Sequence, residues 1–299
     1  MAVLRDWFYW LSLGSNALGQ VIETIMIVFL TSEFRKTKSE VKYAYYYVLY
    51  ISYWTDSIAN IAWWTSEALD NEEDNVVVGI GLLYKWYFYM SPGVWSFMLS
   101  LNRCTAMGWP IMHNQIWSGR SLKILLMLMI LYPFLVDGHA FRDFHCRMYY
   151  MSLRCLDHYT LMMTTVQIST AGSAAISFIL IAVAVKKSKS YSQSSAKARI
   201  EKRMILHAAT ASLMLLIWVT TVYLTTVIVS MCQFFDNLSF FIFCMQHYPP
   251  MLLLLWINPT YKNLFFQFLG IDKYFKKRNV VSGSTTVITR PTNLPKIVA

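Results

Sequence analysis

Apolar residues gather along the chain in seven long runs separated by short polar stretches. The runs fall at about 8–31, 43–65, 76–102, 121–141, 161–185, 204–231 and 239–258. Each is long enough to cross a bilayer as a helix, since about 20 residues at roughly 1.5 Å of rise span the hydrocarbon core. The first run lacks the basic start and small-residue cleavage site of a leader peptide and is too long for one. After the last run, Tyr261, Leu264, Phe265, Phe268 and Phe275 recur at helical spacing, with Lys262, Lys273, Lys276, Lys277 and Arg278 on the other face. That pattern predicts an amphipathic helix lying on an anionic inner leaflet. Residues 279–299 are polar, contain Pro291 and Pro295, and predict a disordered cytoplasmic tail. The expected fold is therefore an all-α membrane protein: a seven-transmembrane helix bundle over 1–278, closed by a short amphipathic cytoplasmic helix. No internal repeat is evident, which counts against a transporter built from repeated halves.

Composition supports the membrane reading. Apolar residues make up 56% of the chain and charged ones 14%, where soluble domains carry about a quarter charged. Aromatic residues reach 16%, a surplus that suits lipid-facing belts better than a soluble core. Twenty-one of the 26 Lys and Arg lie in 32–42, 103–123, 186–203 and 260–299. The alternate loops hold Arg5, Arg142, Arg147 and Arg154, and the stretch 66–75 carries Glu67, Asp70, Glu72, Glu73 and Asp74 with no base. Basic loops stay in the cytoplasm, so the expected placement is a multi-pass plasma-membrane protein with its N-terminus outside. The net charge of +10 is thus an orientation signal toward the lipid bilayer, and no nucleic-acid partner is expected.

Charges inside the runs carry the candidate chemistry. Arg103, preceded by Asn102, closes the third run on its cytoplasmic side, and Glu201 lies at the base of the sixth. The Arg is either a switch that a Glu201 carboxylate holds bidentately at rest, or a side chain that snorkels to the headgroups. Lys85 lies five helical turns before Arg103, roughly 27 Å along the same helix face. A charge at that depth faces the bundle interior or a wet cavity. It would receive an anionic or carbonyl-bearing ligand between Tyr84, Tyr89 and Trp95, or else pair with Asp56. Glu23 and Asp56 are read as acids of a polar core, Asp56 also standing where a second-helix Asp helps bind sodium in rhodopsin-like receptors. Trp218 reads as an ordinary core or lipid-facing aromatic, because Thr220 stands where a switch helix would carry proline. Pro249, Pro250 and Pro259 are candidate hinges. Cys146, Cys155 and Cys232 fall on the external side, where oxidation is expected. Cys146 could pair with Cys155, or one of them could bridge to Cys232.

With Ser100-Leu101-Asn102-Arg103-Cys104-Thr105-Ala106 at the third run, Trp109-Pro110 and Gln115-Ile116-Trp117 after it, and Glu201-Lys202-Arg203 before the sixth, the chain resembles the nematode serpentine chemoreceptors. The nearest group is serpentine receptor class gamma or a sister class. The resemblance implies an external small-molecule ligand, a heterotrimeric G protein as partner, and chemosensory signalling in ciliated sensory neurons, with the sensory cilium as the place. It maps Arg103 onto the family's third-helix Arg and maps no ligand site. The other classes are a transporter and an intramembrane enzyme. Six histidines form no HxxxH or HxxH pair, so no metal, cofactor or catalytic centre is expected.

Overall fold

A computed structural model describes residues 2–69, 75–150, 152–190 and 196–271. Their regular structure is helical throughout, with no strand among them: α1 (Ala2–Arg35), α2 (Ala44–Ala68), α3 (Val76–Gly108), α4 (Pro110–Ile116), α5 (Gly119–Asp137), α6 (Phe144–Met148), α7 (Leu156–Ser190), α8 (Ala196–Val227), α9 (Cys232–Ile257) and α10 (Pro259–Phe268). Each of the seven apolar runs lies on one of the long helices α1, α2, α3, α5, α7, α8 and α9. Five of these are long and apolar enough to cross a membrane, namely α1, α5, α7, α8 and α9. The other two are comparably long, at 25 and 33 residues, but less apolar. Tyr and Trp crowd α2, and α3 carries Lys85 and Arg103; such amphipathic and charged side chains lower mean hydropathy without preventing burial.

The helices close into a ring. Helix α1 packs against α2 and α9, α2 against α3, α3 against α7 and α8, and α8 against α7 and α9, while α5 leans on α3 from outside. The main core fills the space between α1, α2, α3 and α9, with Phe29, Leu30, Val48, Leu49, Leu99 and Leu254 almost wholly buried. Two glycines permit close crossings. A Cβ on Gly19 would stand 2.2 Å from ring carbons of Tyr248, so α1 and α9 touch backbone to ring. A Cβ on Gly93 would meet the Ser173 side chain and the Thr170 backbone at 3.2–3.3 Å, where α3 crosses α7. Small residues at such crossings let helices approach closely enough for dispersion contacts to accumulate.

At the chain end a short helix follows the last long one, on the stretch where Tyr261, Leu264, Phe265 and Phe268 recur at helical spacing. Asn258 caps α10 by accepting from the Tyr261 amide at 3.2 Å, with Pro259 in the first turn, and the helix stops before Gly270, whose φ is 71°. Part of the apolar face of α10 packs on the bundle, where Tyr261 and Phe265 are buried and both rings meet Phe29 at 5.3 Å, while Phe268 stays exposed. Phe275, the basic cluster Lys273–Arg278 and the tail 279–299 lie outside the described residues.

Candidate functional site

At mid-depth in α1, polar residues recur every third or fourth position: Ser12, Asn16, Gln20 and Glu23. That spacing puts them on one helix face, and the face turns to α2 and α9. Asn16 Nδ2 donates to Asn60 Oδ1 at 3.0 Å, and Gln20 Nε2 donates to Ser57 Oγ at 2.5 Å. Asn60 Nδ2 donates in turn to Asp56 Oδ2 at 3.0 Å and reaches the Tyr248 hydroxyl at 3.4 Å. At the centre of this network, His247 Nε2 of α9 lies 2.8 Å from Glu23 Oε1 and 3.1 Å from Asp56 Oδ2. All three side chains are at least 95% buried. Their ligating atoms fall within 4.8 Å of one another. Rings enclose the imidazole, with Trp95 and Tyr53 edge-on at 6.1 and 6.2 Å and Phe243 parallel at 6.3 Å. A narrow crevice lined by residues of α2, α3 and α5, among them Thr55, Ser91 and Trp95, reaches Asp56 and His247.

A second polar cluster sits at the far end of α3. Arg103 is buried, and both Nε and Nη2 donate to Asn102 Oδ1. Its guanidinium lies 4.5 Å over the ring of Tyr45 on α2, a cation–π contact. The Tyr45 hydroxyl is 2.7 Å from His207 Nδ1 on α8. Asn102 and Tyr45 thus hold the guanidinium, and Tyr45 links it to α8 through His207. Just beyond, Thr105 Oγ1 meets His113 Nδ1 at 3.0 Å and accepts from Trp117 Nε1 at 2.9 Å, which clips α4 and its following turn onto α3.

The opposite end of α3 carries a third cluster. Trp86 Nε1 and Arg147 Nη2 both donate to Asp137 Oδ2, at 2.7 and 2.6 Å. The Arg147 guanidinium also covers the Trp86 and Phe141 rings at 4.5 and 5.3 Å. Beside it a disulfide joins Cys146 to Cys155, and Cys232 is a free, exposed thiol at the start of α9.

Several residues read from the sequence are distributed differently from the expectation. Glu23 and Asp56 do share a buried polar core, but the basic partner at Asp56 is His247, where the sequence offered Lys85. The ligand set divides: Tyr84 is 44% exposed on the outside of the bundle, Lys85 and Tyr89 are half-buried, and Trp95 sits about 15 Å further along α3 against His247. Asn102 takes the place of the missing acid beside Arg103. The Glu201 side chain lies outside the described residues. Helix α9 runs unbroken through Pro249 and Pro250, and the chain turns only at Asn258-Pro259. Trp218 is buried against Phe243.

His247 and the Asp137–Arg147 pair were missed. Local histidine spacing carries no trace of a site whose residues come from three helices, Glu23 and His247 being 224 residues apart. Asp137 fell inside an apolar run, and Arg147 was counted as a loop charge although it is fully buried. The polar stripe on α1 is the signal that would have found the core site.

The chain matches no protein-family model and no curated protein.

Proposed function

We propose that the chain is a seven-span receptor that couples an external chemical ligand to a cytoplasmic heterotrimeric G protein, in the manner of the serpentine chemoreceptors it resembles. In this reading it lies in the plasma membrane, of a sensory cilium where one is present, with its N-terminus outside. The observation that supports it is the Arg103 cluster. One guanidinium, held by Asn102 on its own helix, is sandwiched against Tyr45, which in turn reaches His207. These contacts join α2, α3 and α8 at the end that the loop charges assign to the cytoplasm. In this reading the junction is packed at rest, and its release would open a cleft for a G-protein segment. Lys85 and Tyr89 lie near the other end of α3 and remain the candidate ligand contacts. The test is an Arg103→Ala variant in cells that report G-protein activation across a panel of small molecules. It should reach the surface at wild-type levels while ligand-evoked activation falls at least tenfold; wild-type signalling would sink the assignment.

The buried Glu23–Asp56–His247 group favours one other reading, an ion-coupled carrier, because intramembrane ionisable residues often mark ion pathways. Ligand uptake by protein reconstituted in vesicles, with no G-protein response in cells, would select it.

A further inference from the structure

We propose that Glu23, Asp56 and His247 form a binding site for one divalent first-row transition cation, with zinc as the representative. The proposal does not depend on the receptor reading. Three arguments converge on it. First, the donor set is two carboxylates and one imidazole on three helices, with all ligating atoms within 4.8 Å. Zinc takes His nitrogen at about 2.0–2.1 Å and carboxylate oxygen at about 2.0–2.2 Å. Tetrahedral ligands at those lengths stand about 3.4 Å apart. The present N···O separations of 2.8 and 3.1 Å need only open by a few tenths of an ångström to admit the ion.

Second, the cluster has more acceptors than donors. Glu23 Oε2 and Asp56 Oδ1 are buried without a hydrogen-bond partner, as are Asn16 Oδ1 and Gln20 Oε1 on the same polar face. Buried oxygens left in this state normally cost free energy, and a cation beside His247 would meet Glu23 and Asp56 at once. Two carboxylates against one imidazole also leave acid in excess, which a divalent ion balances and a monovalent one does not.

Third, the crevice that reaches Asp56 and His247 has a free volume of about 10 Å³, near the minimum for a single water. That is room for one further ligand on the ion, not for an organic molecule. The imidazole disfavours sodium, magnesium and calcium, which prefer oxygen-only sites.

The experiment uses the full chain in lipid nanodiscs, stripped with chelator and titrated with Zn²⁺ and, for its visible spectrum, Co²⁺. The expected result is saturable binding of one ion per chain, with a tetrahedral or five-coordinate Co²⁺ spectrum free of thiolate bands. His247→Ala, Glu23→Gln and Asp56→Asn should each weaken binding by roughly a hundredfold. His139→Ala and His145→Ala, at the disulfide end, should leave the affinity within twofold. Absence of saturable Zn²⁺ binding by wild-type protein overturns the proposal, as does binding that survives His247→Ala, or saturation by sodium or calcium alone. If a core variant fails to fold, the wild-type titration repeated on the His139→Ala/His145→Ala protein decides. Binding that persists there with the same spectrum supports the core site, and its loss overturns it.

Discussion

The two buried ionic clusters of this bundle are built on opposite principles. At the disulfide end, Asp137 faces one permanent cation, Arg147, at 2.6 Å, and the same carboxylate oxygen takes the Trp86 N–H. At the centre, two carboxylates face one imidazole. The first cluster sets one carboxylate against one guanidinium, which lies beside the disulfide and over two aromatic rings, although Asp137 Oδ1 and Arg147 Nε and Nη1 are themselves buried without a hydrogen-bond partner. The second is unbalanced, and its acceptors exceed its donors. A balanced buried pair holds structure, and removing one member strands the other. An unbalanced one invites a counter-charge and tolerates losing an acid.

The largest effect should come from Arg147→Met, which leaves Asp137 charged and buried at a cost of about 3–5 kcal/mol. It is read as loss of folded yield or a lower unfolding midpoint. The double variant Asp137→Leu/Arg147→Met should recover most of that loss, short by about 1 kcal/mol for the stranded Trp86 N–H. If single and double variants are equally unstable, charge balance is not what holds that end. An intermediate effect is expected for Gly19→Ala, which drives a methyl into the Tyr248 ring and forces α1 away from α9, costing about 1–3 kcal/mol. Gly14→Ala, one turn earlier with open space at its Cβ, should be neutral in the same assay. The smallest effect belongs to Asp56→Asn in chelator-treated protein. The amide oxygen still accepts from Asn60 while one excess charge disappears, so stability should stay level or rise by about 1 kcal/mol. A loss as large as that of Arg147→Met would erase the distinction between the clusters.

How much of this was legible beforehand follows from the range of each interaction. Helix positions are set by runs of apolar residues, a local property, and all seven runs lie on long helices. Glu23, Asp56 and Arg103 stood out because a charge within an apolar run is conspicuous one residue at a time. His247 did not, being uncharged by default and flanked by Gln246 and Tyr248, so its meaning depended on two helices distant in sequence. The same holds for Asp137 and Arg147, whose pairing requires the segment after α5 to fold back over Trp86. The stripe of Tyr261 and Phe265 on α10 fits a lipid surface and a neighbouring helix equally well, so its packing on Phe29 is not readable from periodicity. Periodicity tells which face is apolar; only the arrangement of the other helices tells what covers it.

The contact between Gly19 and Tyr248 sets an order of assembly. Helix α1 is made before α9, yet α1 finds most of its packing and the histidine for Glu23 only on α9. Until residue 247 has been synthesised and its helix has docked, the chain holds one acid in each of two apolar helices, with no imidazole beside them. A chain halted before α9 would leave the polar face of α1 without the partner it has in the finished bundle. Completion of the last long helix is what makes the first one acceptable, so a truncation near the C-terminal end should be sensed at the N-terminal one.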